Sequence, residues 1–169
     1  HSGRVSEISV VIAKELGMPD GSIENIRLAG LIHDIGKIGV KEEVLNKPGL
    51  LTPQEFEYIK THPAIGERIL KPIVEEQEIL DIVRLHHERF DGKGYPDGLA
   101  GEQIPTGAAI MALADAYDAM TSDRPYRKSL GHAAAVSEIK KGSGTQFSPD
   151  AVEAFLRVEN TIAPKTVKP

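Results

Sequence analysis

Apolar residues recur at helical spacing along almost the whole chain, and no segment of useful length shows the strict alternation of a half-buried strand. That property confines the 169 residues to an all-α fold, a compact multi-helix bundle. Val5, Ile8, Ile12 and Leu16 form the first stripe, with Gly17 placed to end it. Ser22 caps a second helix predicted over Ile23 to Ile35. Its later part, from Ile26 on, is too apolar for a surface helix and belongs at the centre of the fold. Thr52-Pro53-Gln54-Glu55 has the form of a capping box with Pro at the first helical position, and Phe56 and Ile59 follow on one face. A further helix is predicted to begin at Pro63, with Ile65, Ile69 and Ile73 inward. Another carries Ile79, Ile82 and Val83 into His86-His87. Residues 89–105 form a Gly- and Pro-rich loop. Helices follow over Pro105 to Thr121, around Ala133 to Lys140, and after Ser148-Pro149, where Val152, Phe155 and Leu156 face inward. One domain is expected over 1–160, with a frayed tail over 161–169.

Composition narrows the function. No apolar run approaches the ~20 residues that span a bilayer, and no secretory signal stands out. The chain has no cysteine, which removes disulfides and thiolate metal sites and fits a reducing, cytoplasmic setting. A net charge of −5 argues against a basic surface for DNA or RNA. An anionic substrate would need positive charge supplied locally, by metal ions or by a few placed Lys and Arg residues. The chain opens on His1 rather than Met, which suggests a piece of a longer protein.

The chemistry lies in polar residues on inward faces. His1 is four residues before Val5 and seven before Ile8, so it shares their face. His33 is seven residues after Ile26 and four after Ala29. His86 follows Ile79 by seven and Ile82 by four, His87 follows Val83 by four, and Asp115 follows Met111 by four. A lone inward histidine is most often a hydrogen-bonded core residue, and an inward Asp can be a buried cap. Imidazoles and carboxylates converging from several helices would require several such coincidences at once. Divalent metal satisfies them together. Histidine with carboxylate and no sulfur suits Fe, Mn, Zn, Ni or Co, and a carboxylate beside a histidine, as in His33-Asp34, can bridge two ions.

The run His33-Asp34-Ile35-Gly36-Lys37-Ile38-Gly39 resembles the signature of the HD metal-dependent phosphohydrolase superfamily. His86-His87-Glu88-Arg89-Phe90-Asp91-Gly92-Lys93-Gly94-Tyr95-Pro96 resembles that of its HD-GYP branch. His1 to Val5, His62-Pro63, Ala114 to Thr121, Asp123 to Arg127 and Gly144 to Phe147 match in the same order, so the resemblance runs from His1 to about Leu156.

The resemblance implies an HD-type bundle whose Gly-rich loop lies near the metal site. It implies a phosphodiesterase acting on the bacterial second messenger cyclic di-GMP, with pGpG or GMP as product. The implied metal ligands are His1, His33, Asp34, His62, His86, His87 and Asp115, with Asp34 bridging two or three divalent ions, Fe or Mn foremost. The Glu ligand of three-metal members falls before residue 1. Water activated at the metals would attack phosphorus, and Lys37 would stabilise charge or protonate the leaving oxygen. Arg124 and Arg127 would grip substrate phosphate. Asp118, on the face of Asp115, would touch substrate or stand behind a ligand. The Gly94-Tyr95-Pro96 loop would shape the site and contact partners, including diguanylate cyclase (GGDEF) domains. An upstream sensory or receiver domain and a homodimer are also expected. A non-catalytic sensor of the dinucleotide, or an HD phosphohydrolase for another nucleotide, are the alternatives. His132 lies outside every matching block and is expected as a surface residue at a helix start.

Overall fold

The computed structural model describes residues 1–47, 49–123 and 128–163. Their α-helices are α1 (Ser2–Glu15), α2 (Asp20–Ile32), α3 (Glu42–Leu45), α4 (Pro53–Ile59), α5 (His62–Leu70), α6 (Gln77–Leu85), α7 (Thr106–Thr121), α8 (His132–Lys141) and α9 (Pro149–Ile162). Short 3₁₀ turns cover Ile35–Gly39 and Gly101–Gln103. The described residues contain no strand; only isolated bridges pair Asp91 with Ala100 and Ser143 with Phe147. No described helix is long and apolar enough to cross a membrane.

The core is centred on α7, which packs against α1, α2, α6, α8 and α9. Ile110, Met111, Leu113 and Ala114 are fully buried on it. Its small residues let neighbours approach closely: a Cβ on Gly107 would meet Ile82 Cδ1 at 2.7 Å. The α1 stripe Val5, Ile8 and Ile12 faces the same core, and Gly17, at φ +68°, turns the chain out of the helix. The capping box at Thr52 is formed as expected, with Glu55 N–H donating to Thr52 Oγ1 and Thr52 N–H donating to the Glu55 carboxylate. The α9 helix runs through Ile162, beyond the predicted start of the tail.

Two helices differ from expectation. The second begins at Asp20 rather than after Ser22, with Asp20 in the first turn where the helix dipole favours an acid, and it stops at Ile32. It is not central. Ile26, Ala29 and Gly30 face inward, while Leu28 and Leu31 lie on the outer face and are partly exposed. In α5 the inward line is His62, Gly66 and Leu70, so Ile69 falls on the outside, and Ile73 lies exposed beyond the end of the helix. In both cases small residues mark the contact face more faithfully than large apolar ones. A Cβ on Gly30 would meet Ser6 Cα at 2.6 Å, which sets the close packing of α1 on α2. His132 does open α8, but it is half-buried and shares a 2.7 Å hydrogen bond with Tyr117 Oη.

The backbone beyond α2 explains the early stop. At Asp34 it takes φ −93° and ψ 6°, in the sparsely populated region between helix and strand. It then tightens into the 3₁₀ turn, which packs against α5. There Gly36 lies against the start of α5 so closely that a Cβ would run into the His62 carbonyl oxygen. Gly66, one turn further along α5, is the reciprocal contact, with its ideal Cβ position 3.4 Å from Gly36 N. This glycine pair brings His33-Asp34 beside His62. Gly36→Ala is expected to force the two segments apart and to cost about 1–3 kcal/mol, by the usual cost of overpacking. Denaturant unfolding measures this, and an unchanged midpoint would contradict the contact.

Candidate metal centre

Five segments deliver the site. The start of α1 supplies His1, and the end of α2 supplies His33 and Asp34. The first residue of α5 is His62, the end of α6 carries His86 and His87, and the middle of α7 carries Asp115. His33, His62 and His86 are buried. Each points its Nδ1 at a backbone carbonyl three residues earlier, namely Gly30, Ile59 and Val83, all at 2.8 Å. A carbonyl only accepts, so Nδ1 carries the proton and Nε2 presents a lone pair inward. The three rings are thereby held in an orientation suited to ligating a metal by the helices that carry them.

The inward atoms form two groups. His62, His86 and His87 make one, and His1, His33 and Asp115 the other; within each, the ligand atoms lie within 4.8 Å of one another. His62 Nε2 and His86 Nε2 are 3.4 Å apart. Asp34 lies between the groups. Its Oδ1 is 3.4 Å from His62 Nε2, and its Oδ2 is 3.5 Å from His33 Nε2 and 3.7 Å from His1 Nε2. His1 Nε2 is 3.3 Å from Asp115 Oδ1. His33 Nε2 is buried without a hydrogen-bond partner, an orphan that a divalent ion would satisfy. The donor set therefore fits metal.

The electrostatics agree. Burial holds His86 well below the ordinary histidine range, reinforced by His87, His33 and His62. Burial likewise takes His87 down to about 4, against the pull of Asp115. Both rings are neutral near pH 7, the form that binds a cation. Burial would raise Asp34, but the neighbouring His62, His33 and Lys37 hold it well below the usual carboxylate range. Asp115 is likewise lowered against its burial, mainly through His1. His1 is raised to about 9 by hydrogen bonds to Asp115 and then Asp118, so it holds a proton that a metal would displace.

Around these ligands stand groups that hold them. Asp118 is buried, with Oδ2 accepting from His1 Nδ1 at 2.7 Å and Oδ1 from Arg4 Nε at 2.6 Å. Both of its oxygens are thus engaged, one by His1 and one by Arg4. Lys37 Nζ donates to Asp34 Oδ2 at 2.7 Å with its side chain 41% exposed, so it reaches both the Asp34 carboxylate and solvent. Arg124 and Arg127 lie outside the described residues.

The Gly-rich loop returns to the site. The Tyr95 ring lies 4.8 Å from that of His87, and Tyr95 N–H donates to the His87 carbonyl at 3.2 Å. Gly94 is required there, since a Cβ would meet Arg89 N and Glu88 Cα at about 2.5 Å. Two residues holding this loop were not legible from spacing. Glu88 is buried, and its carboxylate accepts from the N–H groups of Asp97, Gly98 and Leu99 at 2.7, 3.0 and 3.1 Å. Arg84 joins Asp97 to Glu67 on α5. The only sequence signal for Glu88 is an acid placed directly before a segment with many unpaired amides. For Arg4 it is the i+3 spacing from His1.

Two groups of imidazoles flanking one carboxylate, on an all-helical scaffold, make a candidate metal centre with two neighbouring sites. The family model described as HD domain matches residues 1–151, and the chain belongs to that family. It is 46% identical over 166 residues to the cyclic di-GMP phosphodiesterase of Thermotoga maritima, covering 96% of this chain and 45% of that protein. It is 40% identical over 130 residues to the 3'3'-cGAMP-specific phosphodiesterase 1 of Vibrio cholerae, covering 77% of this chain and 30% of that protein. The chain thus spans less than half the length of these curated relatives. The solved structure of Bd1817, an HDG"Y"P protein from Bdellovibrio bacteriovorus, shares the fold with a TM-score of 0.74 at 22% identity, over 95% of this chain and 51% of that one.

If Asp118 orients His1, Asp118→Asn should weaken retention of the ion on the His1, His33 and Asp115 side by about 10–100-fold and leave the other side tight. A chelator titration of the metal-loaded protein resolves this. Release indistinguishable from the parent would contradict the assignment.

Proposed function

We propose that this chain is a metal-dependent phosphodiesterase unit that hydrolyses cyclic di-GMP to pGpG, GMP or both. The observation that carries it is the position of Asp34, with one carboxylate oxygen toward each of two histidine groups. Paired ions on a shared carboxylate suit in-line displacement at phosphorus, and the likeness to a cyclic di-GMP phosphodiesterase over 96% of the chain supports the substrate.

His62, His86, His87 and Asp34 would hold one ion, and His1, His33, Asp115 and Asp34 the other. Fe or Mn fits this all-nitrogen-and-oxygen set first, with Ni, Co and Zn also compatible. A third ion would need a further ligand from before His1. Bound ions would lower the pKa of a water and neutralise the nonbridging phosphate oxygens.

The chain's own groups supply the rest. The carbonyls of Gly30, Ile59 and Val83 keep three imidazoles in the ligating tautomer. Asp118 and Arg4 hold His1 in place. Lys37, on the solvent side of Asp34, binds a phosphate oxygen and protonates the leaving oxygen. Tyr95 shields the outer face of His87 from water. Arg124 and Arg127 bind the neighbouring phosphate. In the longer protein an upstream sensory or receiver domain would set activity, the Gly94-Tyr95-Pro96 loop would offer a surface to GGDEF domains, and two copies would pair.

The complete ligand set favours turnover over a non-catalytic sensor. The likeness to a 3'3'-cGAMP-specific enzyme makes that dinucleotide the competing substrate. Anaerobically prepared, metal-loaded protein should hydrolyse cyclic di-GMP faster than 3'3'-cGAMP, and should leave deoxynucleoside triphosphates intact. Asp34→Ala should lose both metal and hydrolysis. Activity surviving in that variant would sink the bridged-metal reading, and faster turnover of 3'3'-cGAMP would reassign the substrate.

A further inference from the structure

The block Gly144 to Phe147 has no part in the chemistry above, yet it sits against the metal ligands. A hollow of about 240 Å³ opens beside His87 and Asp115, with Ala112 and Ala116 of α7 as its floor and Arg89 and Gln146 among its walls. The two alanines are one helical turn apart, so they leave a flat strip of α7 next to Asp115.

The wall at Gln146 is held rigidly by everything except its own side chain. Phe147 is buried, and its N–H donates to the Gly142 carbonyl at 3.0 Å. Gly144, at φ +73°, closes the turn by donating to the Phe147 carbonyl at 2.9 Å. Across the turn, Asp91 N–H donates to Thr145 O at 2.8 Å and Phe90 N–H to Gln146 O at 3.4 Å. The turn is thus fastened to the segment that follows His86-His87. The Gln146 side chain is exposed, and its amide bonds to no protein group among the described residues. Arg89 is anchored by Asp91 through Nε and Nη2, at 3.0 and 2.8 Å, which leaves Nη1 without a partner among the described residues. Unpaired polar donors on a backbone held in place, around an apolar floor that abuts the candidate metal ligands, are the makings of a recognition pocket.

We infer that this hollow is the subsite for a guanine base of the dinucleotide, with Gln146 and Arg89 as its base-binding residues; the inference rests on the hydrolase reading above. The base lies on the Ala112-Ala116 strip. Its O6 and N7, both acceptors, take hydrogen bonds from the Gln146 amide and Arg89 Nη1.

The test compares kcat/KM for cyclic di-GMP with that for bis(p-nitrophenyl) phosphate, a diester without a base, in the metal-loaded protein. Gln146→Ala should lower the ratio of the two by about tenfold or more, the scale of one base-edge contact. Gln146→Glu keeps the size but removes the donor, and should lower it at least as far. A ratio unmoved in both variants, including a parallel loss on both substrates, overturns the subsite. Calorimetric titration of the parent with cyclic di-GMP separates the two levels. A parent that neither binds nor hydrolyses it overturns the hydrolase reading and the subsite together, whereas an active parent with an unmoved ratio overturns the subsite alone.

Discussion

The carboxylate of Asp34 lies between two sets of imidazoles, and the rest of the fold is organised around that placement. A partly buried carboxylate facing His62 on one side and His33 and His1 on the other is stable only because cationic or metal partners offset its lost hydration. The backbone contact of Gly36 with the start of α5 sets the distance across the first pair. Packing of α7 against α1 and α6 sets the second, because it carries Asp115 toward His1 and toward His87. The candidate ligands from five segments therefore meet only when the whole core has formed, which would couple metal affinity to folding.

Outside the ligands, the structure spends its buried polar groups on orientation. Asp118 fixes His1, three backbone carbonyls fix three more imidazoles, and Glu88 gathers three loop amides so that Tyr95 rests on His87. The turn Gly142 to Phe147 is tied to the same loop through Phe90 and Asp91. One flank of the metal centre is consequently a rigid wall. The opposite flank, where Lys37 reaches solvent, is open.

Much of this was legible in the sequence, for physical reasons that also explain the misses. Helical spacing located α1, α6, α7 and α9, because their apolar stripes coincide with their buried faces. It misjudged α2 and α5, where Gly30, Gly36 and Gly66 form the contacts and Leu28, Leu31, Ile69 and Ile73 remain outside. Hydrophobic size signals burial, but it carries no information about close backbone approach. The ligands stood out because a histidine on an apolar face needs an explanation. Glu88 and Arg4 did not stand out, since one acts on backbone amides and the other through Asp118, and neither partnership leaves a periodic trace. Asp118 was placed on the correct face, but only the fold shows that His1 and Arg4 occupy both its oxygens.

The central claim is that Asp34 joins two ions in one centre. X-ray absorption on the metal-loaded protein, with metal content determined on the same sample, tests it most directly. The account predicts two ions per chain in a nitrogen-and-oxygen shell, with a metal–metal vector of about 3.5–4 Å. A single ion per chain, or two ions with no such vector, would contradict it.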